Sequence, residues 1–330
     1  MSRRGLGLAA FLLLAFGSAW AVEIGWVRRY AVGSTPYVVI LMGVMLIPGL
    51  SALLVRLLVE REGFGDAGLR WGRGRYYLAG WLLPAVFGLA AFVLSVALRQ
   101  GEYDPWMAEL MARMQLHAPE MRMPPLHLVR IYVIVGALTQ AVAIGTVFAF
   151  GEEFGWRGYL LMRLLPLGRG RALVLSGAIW GVWHAPIILQ GHNYPDHPAL
   201  GVPLMVGFCI LLGVFLGWLR LASGSVFPAA VGHASVNGPG MTPLAFLRSR
   251  NDITTGLTGL LGQAVVAAFV LLLWGLGALR GRESRSTGGT FLSGSSRQES
   301  GSYGEAPGRA GGPRSAATAA RLLDSARTAV

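Results

Sequence analysis

Residues 131–153 read IYVIVGALTQAVAIGTVFAFGEE, an uncharged and mostly apolar run that ends in two adjacent glutamates, Glu152 and Glu153. A run of about twenty apolar residues is long enough to cross the hydrocarbon core of a bilayer. A charge within that core costs about 3 kcal/mol or more unless it is paired or lines a wet cavity. The run therefore predicts a membrane helix, and the two glutamates predict a functional site inside it.

The rest of the chain has the same apolar character. Only 13% of its 330 residues are charged, whereas a soluble domain carries about 25%, and its mean hydropathy is +0.54. We therefore predict an all-α, polytopic membrane bundle of about eight transmembrane helices. The predicted spans are residues 6–22, 36–55, 77–98, 130–163, 173–190, 201–219, 225–240 and 256–279.

Composition divides the chain into three parts. Residues 1–35 predict a first membrane helix and an outer loop, although two N-terminal arginines and a short apolar region also fit a cleavable signal peptide. We favour the retained helix because Trp20 makes a poor cleavage site. Residues 36–280 form the predicted membrane core. Residues 281–330 are rich in Ser, Gly and Arg, which predicts a disordered cytoplasmic tail.

The basic residues point to a membrane and away from nucleic acid. The net charge is +12 and every basic residue is arginine, but the arginines cluster in short loops between apolar runs and in the tail. That distribution is typical of charges that orient a membrane protein, and it places both termini in the cytoplasm. Arginine without lysine, together with abundant glycine and alanine, suggests a bacterial source. We therefore predict an integral protein of the plasma (inner) membrane, with the lipid bilayer and no nucleic acid as a partner.

Three polar residues are predicted to lie at one depth in the membrane. Glu152, His184 and His233 each stand eleven to thirteen residues from an arginine at a predicted cytoplasmic boundary. At about 1.5 Å of rise per helical residue, each lies roughly 16–20 Å along its helix from that boundary. Side chains at a shared depth on three helices can converge, so we expect these three to form one site.

Helical spacing assigns partners to two further residues. Arg157 follows Glu153 by four residues, which is the favourable order for an ion pair on one helix face. Glu152 points about 100° away from that face and stays available. Asn237 likewise follows His233 by four residues, so an imidazole and an amide can offer two N–H groups to one point.

This set of residues suits the hydrolysis of a peptide bond. Hydrolysis needs a base that activates water and donors that stabilise the oxyanion of the tetrahedral intermediate. Glu152 and His184 could activate and orient the water, while His233 and Asn237 could supply the donors. The pair of Glu153 and Arg157 would then support the site.

A metal offers an alternative way to activate the water. Glu152, His184 and His233 present one oxygen and two nitrogens, enough for a catalytic zinc ion with an open position. The chain lacks the H-E-x-x-H signature of zinc proteases. We favour a site that requires no cofactor, and zinc bound by these three residues stays open as the alternative.

Three motifs in order resemble a known family. Residues 152–157 read E-E-F-G-W-R and match an E-E-x-x-x-R signature. Residues 180–186 read W-G-V-W-H-A-P and place His184 after two tryptophans, and residues 233–237 match H-x-x-x-N. They resemble the CAAX protease and bacteriocin-processing family of intramembrane proteases, also called the Abi or type II CAAX prenyl protease group. Trp180 stands where the family usually has phenylalanine.

The resemblance implies an intramembrane endopeptidase that cleaves a membrane-anchored peptide or protein. It implies that Glu152 and His184 hold the attacking water, that His233 and Asn237 stabilise the oxyanion, and that Glu153 supports the site with its arginine partner. Two other functions remain open for this sequence. One is a non-enzymatic immunity or chaperone-like membrane protein that binds a peptide, and the other is a proton-coupled transporter.

Overall fold

The structure is a computed structural model that describes residues 2–117, 120, 122–248 and 250–279. Over these residues the fold is helical, apart from one antiparallel pair of two-residue strands. The helices are α1 (Arg3–Gly25), α2 (Thr35–Val44), α3 (Ile47–Leu54), α4 (Arg75–Ala97), α5 (Ala108–His117), α6 (Leu126–Gly136), α7 (Val142–Gly155), α8 (Leu161–Leu164), α9 (Arg169–Trp183), α10 (Ala185–Leu189), α11 (Pro198–Ser223), α12 (Phe227–Ser235) and α13 (Leu260–Gly275). The strands are β1 (Glu102–Tyr103) and β2 (Leu247–Arg248).

Wider and tighter helical turns join several of these helices. The π-helical segments are Val55–Glu60, Ala137–Ala141, Trp156–Leu160 and Val236–Gly240, and the 3₁₀ segments are Val27–Arg29, Leu165–Leu167 and Thr242–Phe246. Single π turns inside α-helices are often found at functional sites. Two of the four lie where the sequence predicts the site, because Trp156–Leu160 contains Arg157 and Val236–Gly240 contains Asn237.

Five continuous helical stretches are long and apolar enough to cross a membrane. They are Arg3–Arg29, Thr35–Glu60, Arg75–Ala97, Leu126–Leu167 and Pro198–Ser223. The prediction of an all-helical, polytopic membrane protein is therefore confirmed. Helices within the other three predicted spans are shorter, so the number of eight stays a prediction. The predicted tail, 281–330, lies outside the described residues.

Charged side chains gather around Arg163, the arginine that follows Glu152 by eleven residues. Its guanidinium lies 2.5 Å from a carboxylate oxygen of Glu60 and 2.7 Å from one of Asp66. Arg56 contacts Asp66 from the other side at 2.7 Å. Burial raises the pKa of the Asp66 carboxyl, but these two arginines outweigh it and hold the pKa below its usual range. The cluster thus ties the end of the second membrane stretch to the helix that carries Glu152.

Glycines let the helices that hold the site approach at backbone distance. A Cβ on Gly49 of α3 would lie 2.6 Å from the carbonyl oxygen of Gly151 in α7, and one on Gly80 of α4 would lie 2.7 Å from the carbonyl oxygen of Pro228 in α12. Small residues at helix interfaces are typical of membrane bundles, where close packing supplies the stabilisation. Glu152 follows Gly151 by one residue and His233 follows Pro228 by five, so this packing fixes the positions of both side chains.

Replacing Gly151 with alanine should therefore destabilise the protein by about 1–3 kcal/mol, since the new methyl group would meet the backbone of Leu46 and Met45 at 2.8 Å. Gly17 in α1 is a matched control, because a Cβ there meets nothing within 4 Å. We expect a lower midpoint of thermal unfolding in detergent for Gly151→Ala and no decrease for Gly17→Ala. Equal midpoints for both variants would contradict the packing role of Gly151.

Candidate active site

One cavity brings the predicted site residues together. Glu152, His184, His233 and Asn237 all line a cavity of about 490 Å³, although they come from helices α7, the end of α9, α12 and the π turn after α12. Most of the remaining lining is apolar and includes Trp180 of α9 together with Phe208 and Leu212 of α11. A mainly apolar cavity with a few converging polar groups is the usual form of a small-ligand or peptide site.

The carboxylate of Glu152 is held by one of its two oxygens. The side chain is 2% exposed, and its Oε2 accepts hydrogen bonds from Trp156 Nε1 at 3.2 Å and from Trp180 Nε1 at 2.7 Å. Within the described part of the chain, Oε1 accepts no hydrogen bond. Two indole donors thus fix the carboxylate and leave one oxygen available at the cavity.

His184 is held in the same manner. It ends α9, and its Nδ1 lies 2.9 Å from the backbone carbonyl of Trp180. A carbonyl only accepts, so Nδ1 carries the hydrogen and the neutral ring keeps a lone pair on Nε2. Trp180 therefore orients both groups, since its indole donates to Glu152 while its carbonyl accepts from His184.

Glu153 connects an arginine and a histidine in the wall behind the cavity. Its Oε1 lies 2.9 Å from Arg157 Nη1, the partner that the i, i+4 spacing predicts, and 2.9 Å from His233 Nδ1. All three side chains are almost fully buried. The Arg157 guanidinium also stacks over the Trp180 ring at 4.2 Å. The carboxylate therefore orients His233 as well as neutralising the arginine.

His233 and Asn237 offer their remaining polar atoms to the cavity. With Nδ1 directed at Glu153, the ring of His233 has Nε2 left for another partner. Asn237 lies in the π-helical turn after α12 and is exposed. Among the described residues, neither Nε2 of His233 nor the side-chain amide of Asn237 has a hydrogen-bond partner in the protein. Both are therefore available to a ligand that enters the cavity.

The arrangement does not form a metal site. Among the residues described, no three His, Cys, Asp or Glu side chains are placed to hold a metal ion together. Glu152 Oε2 and Nδ1 of each histidine have partners in the protein, which leaves Oε1 and the two Nε2 atoms free for a ligand. The donor set predicted for zinc, Glu152 with His184 and His233, is not assembled around one point in this structure, so we route no step of the reaction through a metal.

Sequence reasoning missed several residues of this cavity. The indole groups of Trp156 and Trp180 hold Glu152. Trp156 follows Glu152 by four residues, a spacing that could have identified it, whereas Trp180 is 28 residues away and gave no such signal. Glu23 of α1, which is 1% exposed, also lines the cavity. So does His192, whose Nδ1 lies within hydrogen-bond distance, 2.9 Å, of the Tyr37 hydroxyl. A lone acid near the end of a helix whose other charges, Arg3 and Arg4, lie at its start was the signal that could have identified Glu23.

A family model matches the segment that builds most of the cavity. Residues 134–238 match the model for Rce1-like type II CAAX prenyl endopeptidases. This segment contains Glu152, His184, His233 and Asn237, together with the pair of Glu153 and Arg157. This segment of the chain is therefore similar to that family. The match agrees with the resemblance that the three motifs carry.

A curated relative supports the same assignment. CAAX prenyl protease 2 of Methanococcus maripaludis is 27% identical to this chain over 122 residues, which is 35% of this chain and 44% of the relative. The match thus spans less than half of the relative's length. The family is described as one of endopeptidases and the relative as a protease, and proteins of these classes act on protein or peptide substrates.

Proposed function

We propose that this protein hydrolyses a peptide bond of a membrane-associated protein or peptide inside its cavity. The observation that carries the proposal is the common arrangement of Glu152, His184 and His233. Each has one polar atom held by the protein and one without a partner in the described structure, and all three line one cavity. Groups held in this way lose little freedom when a substrate arrives, which favours catalysis.

In the first step Glu152 acts as the general base. Oε1 takes a proton from a water molecule whose position is also fixed by a hydrogen bond to Nε2 of His184. The water oxygen forms a bond to the carbonyl carbon of the peptide, and the carbonyl oxygen becomes an oxyanion. Transfer of a proton by a positioned side chain contributes about 10²–10⁴-fold to such a rate.

In the second step the tetrahedral intermediate collapses. Asn237 donates an amide N–H to the oxyanion, and His233 donates from Nε2 when its ring carries both protons, with the Glu153 carboxylate as the counter-charge at Nδ1. The C–N bond breaks, and the leaving nitrogen receives the proton that Glu152 took from water. The products are a carboxylic acid and an amine, and Glu152 returns to its ionised form.

The proposal includes the membrane arrangement that the sequence predicts. Eight transmembrane helices, both termini in the cytoplasm and a site in the plasma (inner) membrane would present the cavity to peptides that are themselves anchored in lipid. A carboxylate base of this kind needs no cofactor. Full hydrolysis by protein freed of metal by chelation, with metal content checked by elemental analysis, would support that part of the proposal. Loss of activity on chelation and its return with zinc would contradict it.

His184→Ala should lower kcat/KM for a quenched, lipid-anchored peptide by about 10²-fold or more, because the attacking water loses its second contact. His127→Ala is a matched control, since His127 is exposed near the start of α6 and does not line the cavity. The assay uses full-length protein in proteoliposomes. Unaltered hydrolysis by His184→Ala would refute the assignment of His184, and no hydrolysis by the unmodified protein on a broad peptide library would refute the proposed function.

A further inference from the structure

The last turns of α1 bring an acidic side chain into the cavity from outside the segment that matches the family. Glu23 is 1% exposed and lines the same cavity as Glu152. Its Oε2 is fully buried and has no hydrogen-bond partner. Glu152 is the other acidic side chain in the lining of this cavity. A buried acid without a partner is costly, so its retention at this place calls for an explanation.

The charges around Glu23 leave it without a counter-ion. The cavity lining includes two glutamates but neither arginine nor lysine among the described residues. Arg157, which lies in the wall behind the cavity, already pairs with Glu153. His192 supplies no positive charge near neutral pH, because burial lowers the pKa of its ring to about 4. The other two histidines of the lining are held elsewhere, His184 by the carbonyl of Trp180 and His233 by the carboxylate of Glu153. Glu23 therefore faces the cavity with a carboxyl group that no described side chain of the lining pairs with.

We propose that Glu23 recognises a basic side chain of the peptide substrate, an inference that rests on the proposed function. An arginine or lysine next to the bond to be cleaved would bring the missing positive charge into the cavity. Tyr37 and Trp183 line the same cavity and offer aromatic faces, against which a guanidinium packs well. Glu23 would then determine specificity, while Glu152 and His184 carry out hydrolysis.

The decisive experiment measures peptide binding without cleavage. Two lipid-anchored peptides are compared that differ only at one position, where one carries arginine and the other its neutral isostere citrulline. Binding is measured to full-length protein carrying Glu152→Gln, so that neither peptide is consumed. We expect the arginine peptide to bind about tenfold or more tightly at one of the scanned positions, as a charge pair in a shielded site would provide.

Variants at Glu23 then separate recognition from folding. Adding Glu23→Gln should bring the ratio of the two dissociation constants close to one, whereas Glu23→Asp, which keeps the charge, should retain part of the preference. Glu109→Gln serves as the control, because Glu109 lies on α5 and pairs with arginines away from the cavity. It should keep the full ratio.

The possible results decide the inference independently of hydrolysis. Equal binding of the two peptides at every position, with Glu23 present, would overturn the recognition role without needing any variant of Glu23. A preference that persists in Glu23→Gln would overturn it as well. A preference that depends on Glu23, in a protein that hydrolyses no peptide in its unmodified form, would support recognition and reject the proposed function.

Discussion

Glu152→Gln should lower kcat/KM for peptide hydrolysis by about 10²–10⁴-fold. The substitution preserves shape: the amide oxygen of glutamine can accept the hydrogen bonds from Trp156 and Trp180 that Oε2 accepts now. The amide nitrogen would take the place of Oε1 at the cavity, and an amide nitrogen cannot accept a proton from water. The loss should therefore fall on catalysis and leave the fold intact.

The measurement compares initial rates in proteoliposomes with thermal unfolding midpoints in detergent. Glu109→Gln makes the same chemical change on an exposed side chain outside the cavity and should keep the full rate. A rate for Glu152→Gln equal to that of this control would show that Glu152 takes no part in the reaction. The comparison also separates the competing functions, because a protein that only binds its peptide would keep its biological effect in the variant.

The features that the sequence predicted correctly depend on local distances along the chain. Apolar runs of sufficient length predict helices that can cross a bilayer, and five such stretches are present. The spacing of Glu153 and Arg157 predicts an ion pair because residues four apart share a helix face. That pair is present at 2.9 Å. Such relations need no knowledge of how the helices pack.

The features that the sequence did not predict depend on contacts between distant segments. His233 meets Glu153 across 80 positions of the chain, and Trp180 meets Glu152 across 28. Which face of α9 or α12 turns toward α7 is decided by glycine contacts and core packing, and a single sequence does not reveal that rotation. For the same reason the sequence does not reveal that the indole and the carbonyl of Trp180 hold Glu152 and His184, the two groups assigned to water.

The predicted role of Glu153 was too narrow for a related reason. Spacing on one helix showed its arginine partner alone, so the pair looked like a structural contact. The structure adds the bond to His233, which makes Glu153 a positioning residue for the group assigned to the oxyanion. Burial of the whole set raises the energetic consequences of breaking it, because water is not available to replace a lost partner.

Arg157→Ala should accordingly destabilise the protein by about 3–5 kcal/mol, the usual cost of leaving a buried charge without its partner. Glu153 is 0% exposed, and Arg157 is its closest permanent cation at 2.9 Å. The substitution also removes the guanidinium that stacks on Trp180 at 4.2 Å. We expect a clearly lower midpoint of thermal unfolding in detergent, followed by tryptophan fluorescence, and a loss of hydrolysis.

Arg113→Ala offers a control with the same spacing in a different environment. Arg113 pairs with Glu109 four residues before it, as Arg157 pairs with Glu153, but its side chain is 62% exposed and that of Glu109 is 39% exposed. An exposed pair of this kind contributes about 0.3–0.5 kcal/mol. The two variants should therefore differ by several kcal/mol, and equal midpoints would show that burial of the Glu153 pair has no special energetic weight.

Replacing both partners distinguishes the charge from the packing. The double variant Glu153→Gln/Arg157→Leu leaves neither charge of the pair buried without its partner. Much of the stability lost in Arg157→Ala should therefore return, because an uncharged pair of similar size avoids the desolvation cost. Hydrolysis should stay low, since a glutamine in place of Glu153 no longer supplies the negative charge at Nδ1 of His233. Recovery of both stability and activity would contradict a positioning role for Glu153 and would assign the pair to stability alone.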